Sequence, residues 1–150
     1  MGRRDNPNPV HKKQEKLILD RFRQLYSDFP KVRIKQYESP DFQLIVNRRK
    51  MIGLEVVRYV SATEKQDETY SLQRFDPKQL MALIHQKEDK SNGYQRMRYA
   101  ELWLLIAAGS MSSDATVIYP ESFDVTAFQT DFYERVFLMD MRQELLFVLK

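Results

Sequence analysis

The sequence contains no cysteine and few glycines or histidines. Disulfide frameworks, thiolate zinc sites, cysteine nucleophiles and the paired-histidine helix of metalloproteases are therefore excluded. The four glycines, Gly2, Gly53, Gly93 and Gly109, are too scattered to form a phosphate-cradling loop or a dinucleotide-binding turn. The remaining chemistry must use carboxylates, lysines, hydroxyls and a hard metal ion.

Long apolar segments are also missing. No apolar run reaches the roughly 18 to 20 residues of a membrane span, and the first residues lack the hydrophobic stretch and cleavage site of a signal peptide. We therefore expect a cytoplasmic protein that makes no contact with a membrane.

The chain has 150 residues, of which 43% are apolar and 30% charged, and this composition is typical of one globular domain. Its net charge is +3, from 24 basic and 21 acidic residues. The excess lies in residues 1–13, and residues 14–150 are electrically balanced. We interpret 1–13 as a flexible basic tail, either solvated or in contact with nucleic acid, and 14–150 as a single domain.

Apolar spacing predicts an α/β order of elements. Residues that recur at three and four positions indicate helices, and short β-branched or continuous apolar runs indicate strands. The expected elements, in chain order, are a helix over 12–29, strands over 32–37, 42–46 and 51–60, a mobile loop over 61–74, a helix over 77–90, strands over 102–108 and 116–119, a helix over 125–135, and strands over 136–139 and 145–149.

Two carboxylates are expected to meet across the hairpin formed by the second and third strands. If residues 47–50 form its loop, Asp41 lies beside Val56 and therefore next to Glu55. Neighbouring carboxylates repel, and burial of an unpaired carboxylate is costly, so this arrangement favours a divalent cation. Mg²⁺ or Mn²⁺ is expected, because Mg²⁺ takes few carboxylates and keeps waters or phosphate oxygens in its shell.

At these residues the sequence resembles the PD-(D/E)xK nuclease superfamily, whose members place Pro-Asp at the start of one strand and Glu-x-Lys on the next. The matching residues are Pro40, Asp41 and, 14 positions after Asp41, Glu55 within Ile-Gly-Leu-Glu-Val-Val. The resemblance covers roughly residues 12–108. It implies a restriction-endonuclease-like αβββαβ core with a central mixed sheet flanked by helices. It also implies a Mg²⁺-dependent nuclease with Asp41 and Glu55 as metal ligands.

Two further site residues are drawn from the resemblance. Superfamily members often supply another metal-associated glutamate from the first helix, where Glu15 lies in line with the inward-facing apolar stripe. Val57 stands where the superfamily has its catalytic lysine, which some members carry on a neighbouring element. Lys87, on the apolar stripe of the second helix, is the best candidate, followed by Lys90. A lysine at the edge of such a stripe also commonly extends into water without a catalytic role.

A second pattern concerns nucleic-acid binding. Gln95 and Tyr99 fit the Gln-x-x-x-Tyr pattern that RecB-like members of the superfamily use to contact DNA. Arg96 and Arg98 lie between them and would add cationic groups along a phosphate backbone. The alternative is that Tyr99 simply covers the core.

Three functions remain open at this level. The first is a metal-dependent nuclease, and the second is a nucleic-acid-binding module on the same fold that is inactive because of Val57. The third is a protein-interaction domain, which the balanced charge of residues 14–150 permits. Nucleic acid, with DNA favoured, is the expected partner. A homodimer or a protein partner is expected to supply specificity that one small domain lacks.

Overall fold

The computed structural model describes residues 9–38, 40–60, 71–91, 98–109, 115–124, 128 and 130–150. These residues form an α/β structure. Its elements are α1 (Pro9–Leu25), β1 (Arg33–Gln36), β2 (Phe42–Ile45), β3 (Met51–Tyr59), β4 (Ser71–Arg74), α2 (Pro77–Ser91), β5 (Glu101–Ala108), β6 (Ala115–Ile118), β7 (Arg135–Asp140) and β8 (Leu145–Val148). Within this part of the chain, neither helix is long and apolar enough to cross a membrane.

Six strands form a mixed sheet in the order β1-β2-β3-β5-β7-β8. β3, β5 and β7 run parallel to one another in the centre, and antiparallel strands complete both edges. β4 and β6 form a separate parallel pair. Almost every residue of β5 and β7 is buried, because the sheet centre is covered on both faces, and this explains their continuous apolar sequences.

The two faces of the central sheet belong to different hydrophobic clusters. On the α1 face, Ile18 and Phe22 of α1 pack in one cluster with Leu54 and Val56 of β3. On the α2 face, Leu80 and Ile84 of α2 share a second cluster with the alternate residues of β5, which are Leu102, Leu104 and Ile106. Because strand side chains alternate, residues 51, 53, 55 and 57 of β3 lie on the α2 face.

The hairpin between β2 and β3 is tighter than the sequence suggests. The expected loop over 47–50 is wrong by one residue, since the Val46 amide donates to the Lys50 carbonyl at 3.0 Å and Lys50 is already paired. Asn47 explains the difference, because its Oδ1 accepts hydrogen bonds from the amides of Arg49 and Lys50 at 2.8 and 2.9 Å. A side chain that bonds its own turn in this way favours a short connection.

Two further expectations are wrong in the described part of the chain. Residues 71–74, expected within a loop, form β4 and pair with β6. The helix expected over 125–135 is not present in residues 130–135, where Thr130 Oγ1 accepts the Phe132 amide at 3.1 Å and Arg135 begins β7. A threonine that bonds a nearby amide competes with helix formation. Residues 61–70 lie outside the described residues.

The start of α1 moves the boundary of the expected basic tail. Pro9 is the first helical residue, a position where its fixed backbone angle is favourable and its missing amide costs no hydrogen bond. Residues 9–13, assigned to the tail from sequence, therefore belong to α1. Residues 1–8 lie outside the described part of the chain.

Gly53 allows three side chains to approach β3 closely. A Cβ at this position would lie 2.7 Å from Cδ2 of Leu102, 3.0 Å from Cγ of Pro40 and 3.2 Å from Cδ1 of Tyr99. Contacts this short force neighbouring groups to move, and all three neighbours are buried. Gly53 therefore lets Pro40 rest against the α2 face, directly before Asp41.

Candidate active site

Four side chains expected from sequence to form the site are brought together by four different elements. Asp41 precedes β2, Glu55 lies in the middle of β3, Lys87 is on α2 and Glu15 is on α1. The charges of Glu15, Glu55 and Lys87 all act on the Asp41 carboxyl. One turn before Glu15, α1 is bonded to β1: Gln36 Nε2 donates a hydrogen bond to the Lys12 carbonyl oxygen at 3.1 Å.

The strand register aligns the two central carboxylates. Phe42 pairs with Leu54, so Asp41, one position earlier, lies opposite Glu55 and not opposite Val56 as the sequence suggests. Opposed residues of an antiparallel pair project from the same face, so both carboxylates lie on the α2 face. The Val56 amide, beyond the last β2 pair, donates to Asp41 Oδ2 at 2.7 Å and fixes the orientation of that carboxyl.

Asp41 is strongly perturbed by this environment. Burial raises its pKa to about 8, and repulsion by Glu15 and Glu55 acts in the same direction. The hydrogen bond from Val56 and the positive charge of Lys87 oppose the increase but do not cancel it. At neutral pH this carboxyl therefore favours a bound proton or a nearby cation.

Glu55 is compensated by a lysine from the neighbouring helix. Its side chain is 5% exposed, and Lys87 Nζ lies 3.2 Å from its Oε1. Lys87 is on the side of α2 that faces the sheet, and its side chain is only 23% exposed, so it does not extend into water. Lys90, the second candidate from sequence, is exposed. Val57 packs against the core of the α2 face. The ammonium group that reaches Glu55 is therefore that of Lys87 on α2, and β3 does not supply it.

Gln43 is a polar residue of the site region that the sequence analysis did not identify. It lies two residues after Asp41 on the same face, is 6% exposed, and its Nε2 donates to the Tyr99 hydroxyl at 3.0 Å. The available signal was a glutamine at an inward position of an otherwise apolar strand. Gln43 links the carboxylate strand to the segment that precedes β5.

The residues expected to contact DNA are described only in part. Gln95 and Arg96 lie outside the described residues, and Arg98 is exposed. Tyr99 is 5% exposed and belongs to the core of the α2 face, as the alternative interpretation expected. Burial raises the pKa of Tyr99, while the Gln43 hydrogen bond and the charge of Arg98 lower it. DNA contact by this segment stays a prediction.

The carboxylates fit a hard cation by their chemistry. In the described ranges, no three His, Cys, Asp or Glu side chains lie close enough together to form a metal-binding group as they stand. Mg²⁺, however, is usually held by one or two carboxylates together with waters and substrate phosphates. Asp41 and Glu55 supply two opposed carboxyls, and repulsion by Glu15 and Glu55 contributes to the raised pKa of Asp41, an effect that a nearby cation would offset.

Comparison of the chain with family models, with curated proteins and with solved structures found no match. The resemblance to the nuclease superfamily therefore depends on the motif residues themselves.

We predict that the protein loses stability relative to Asp41→Asn as pH rises from about 4 to 8. The folded state binds a proton at Asp41 up to about pH 8, whereas the unfolded state releases it near 3.8, so stability is greatest below that window and declines through it. Asparagine cannot ionise and still offers an oxygen to the Val56 amide. Denaturant unfolding in chelator at pH 5 and 8.5 should show a relative loss of at least about 1 kcal/mol.

Asp28→Asn is the matched control, because it makes the same substitution at an exposed aspartate outside the site. Its stability difference from the unmodified protein is expected to stay constant with pH. If the difference in unfolding free energy between Asp41→Asn and the unmodified protein is also the same at both pH values, the raised pKa of Asp41 is contradicted.

Proposed function

We propose that this chain is a Mg²⁺- or Mn²⁺-dependent phosphodiesterase that cleaves nucleic acid, on a restriction-endonuclease-like αβββαβ core. The observation that carries the proposal is the buried Glu55 opposite Asp41, with Lys87 3.2 Å away on α2. A buried carboxylate opposite a second, half-buried one is unfavourable for stability alone, which favours a role in binding a cation.

The arrangement of elements supports this assignment. The chain runs through α1, β1, β2, β3, α2 and β5, with β4 inserted before α2, and β3 and β5 are parallel neighbours. This order agrees with the core that the resemblance implies. Asp41 directly precedes β2, Glu55 is on β3, and Lys87 is on α2, within the connection between β3 and β5.

Asp41 and Glu55 would hold the metal, and each is already oriented by the protein. The Val56 amide fixes one carboxyl and Lys87 fixes the other. A bound divalent cation would offset charge on the scissile phosphate and lower the pKa of an attacking water. Glu15 acts as an auxiliary acid, because its negative charge increases the preference of Asp41 for positive charge.

Lys87 takes the role of the catalytic lysine, which the apolar Val57 cannot perform. Its ammonium group lies beside the carboxylates, where it can orient the attacking water and stabilise negative charge that develops on the phosphoryl oxygens. The ion pair with Glu55 holds the flexible lysine side chain in place before substrate arrives. Preorganised charge of this kind is more effective than charge that must reorient during the reaction.

An inactive nucleic-acid-binding module on the same fold is the second candidate. Two observations favour it: Val57 occupies the lysine position, and Lys87 forms an ion pair with Glu55 that offsets the charge of this carboxylate. A protein-interaction domain without nucleic-acid affinity is the third candidate. Cleavage and binding experiments separate these three.

We predict that the protein cuts plasmid or single-stranded DNA only when Mg²⁺ or Mn²⁺ is present, and that Asp41→Asn and Glu55→Gln each abolish cutting. Each variant removes a charge that the cation requires while keeping the shape of the side chain. Gel electrophoresis over a range of cation concentrations measures the rates, with Asp28→Asn as the control. Cutting that persists in both variants would come from a contaminant and would contradict the proposal.

We predict that Lys87→Ala lowers the cleavage rate about 10² to 10³-fold, the usual effect of removing one preorganised electrostatic group. Lys90→Ala, one turn further along α2, and Lys78→Ala, at its start, should retain the rate. Both of these lysines are exposed. Full activity of Lys87→Ala would contradict the assigned role, and loss in Lys90→Ala alone would transfer that role to Lys90.

A further inference from the structure

Strand β1 carries cations on the same face as the carboxylates. Residues directly opposed across β1, β2 and β3 share a face, and the register defines three successive rows. The first row contains Tyr37, Asp41 and Glu55, the second Lys35, Gln43 and Gly53, and the third Arg33, Ile45 and Met51. Lys35 and Arg33 therefore follow the carboxylate row in order, one strand away.

These cations are available to a ligand. β1 is an edge strand, and both Arg33 and Lys35 are exposed. In the described part of the chain, no acidic side chain forms an ion pair with either of them, and Lys35 Nζ lies 6.0 Å from the centre of the Tyr37 ring. Their charge is therefore directed to solvent.

The row of cations continues into a groove at the hairpin end of β2. This groove, of about 490 Å³, is lined by Lys31, Arg33 and Arg48, with Val32, Ile45 and Val46 as its apolar part. Val32 and Val46 belong to the cluster of the α1 face, so the groove lies at the end of the sheet, between its two faces. An adjoining groove of about 790 Å³ shares Lys31 and Val32 but is otherwise lined by α1 and the segment after it, including Arg23 and Asp20, so it belongs to the α1 side of the sheet and not to the carboxylate face. We call the surface formed by Lys35, Arg33, Lys31 and Arg48 the β1 track.

We propose that the β1 track binds the phosphate backbone of the nucleic-acid strand whose cleaved bond lies at Asp41 and Glu55, and this inference rests on the proposed function. Charge complementarity carries it. A nucleic-acid strand carries a negative charge at each phosphate, and the exposed cations Arg33 and Lys35, on the face of the carboxylates, attract it. Phosphate contacts by arginine and lysine position a strand without reading its sequence.

The length of the track sets how much nucleic acid it covers. Five steps lead from Asp41 to Val46, which is bonded to Lys50, and at the usual strand rise of about 3.3 Å they span about 17 Å, with Arg48 in the turn just beyond. A stacked nucleic-acid strand rises about 3.4 Å per nucleotide, so Arg48 lies about six nucleotides from the cleaved bond. The track therefore binds one flank of the cleavage position.

The first test measures binding of a fluorescein-labelled single-stranded DNA of about 20 nucleotides by fluorescence anisotropy, over a series of salt concentrations and with chelator to prevent cutting. The variant is Arg33→Gln with Arg48→Gln. The matched control is Arg74→Gln with Arg142→Gln, two exposed arginines away from the track. Each phosphate contact contributes about −0.7 to the slope of log K against log salt for a single strand.

Loss of two contacts should therefore make the slope less negative by about 1.4 and weaken binding at low salt about tenfold or more. The control should match the unmodified protein. The proposal would be overturned if the track variant and the control gave equal slopes of log K against log salt, or if the unmodified protein did not bind the DNA. If the unmodified protein binds through the track but never cuts DNA, the proposed hydrolysis fails while the track stands.

The absence of cysteine permits a second test that does not depend on lost affinity. Arg48→Cys, labelled with a photoactivatable maleimide, should crosslink to the DNA strand about six nucleotides from the cleaved bond on one side only. Lys78→Cys, on the exposed start of α2, is the control. Crosslinking from position 48 no stronger than from position 78 would overturn the proposal.

Discussion

The candidate site depends on how the fold compensates two opposed carboxylates. Glu55 is almost fully buried in an apolar strand, where a charged group is tolerated only with a partner, and Lys87 reaches it from the neighbouring helix. Burial raises the pKa of Asp41 to about 8, and repulsion by Glu15 and Glu55 acts in the same direction, although the hydrogen bond from the Val56 amide opposes the increase. The site therefore contains one carboxyl that is paired and one that still favours positive charge, which is the asymmetry a cation would relieve.

Charge is separated on the α2 face in a chain whose net charge is small. The acids converge where β2 begins, whereas Arg33 and Lys35 lie along β1 on the same face. A polyanion can therefore be attracted to one part of the surface and presented to carboxylates in another. Net charge alone conceals this separation, because an average over residues 14–150 cancels it.

The sequence predicts that Asp41, Glu55 and Lys87 lie close together, but it misses parts of the fold around them. Asp41, Glu55 and Lys87 were found because strand alternation and helical spacing are local signals that survive folding. The one-residue error in the hairpin arose from Asn47, whose side chain bonds its own turn. β4 pairs with the distant β6, and Gln43 is buried by Tyr99, so both depend on contacts that no local pattern encodes.

The central claim is that Asp41 and Glu55 share a divalent cation. Crystals grown near pH 8 with Mn²⁺ test it most directly, through anomalous diffraction at the manganese absorption edge. The account predicts an anomalous peak between the two carboxyls, with Lys87 beside it. A structure in which both carboxyls and the Glu55–Lys87 ion pair are ordered but no peak lies between them would contradict it.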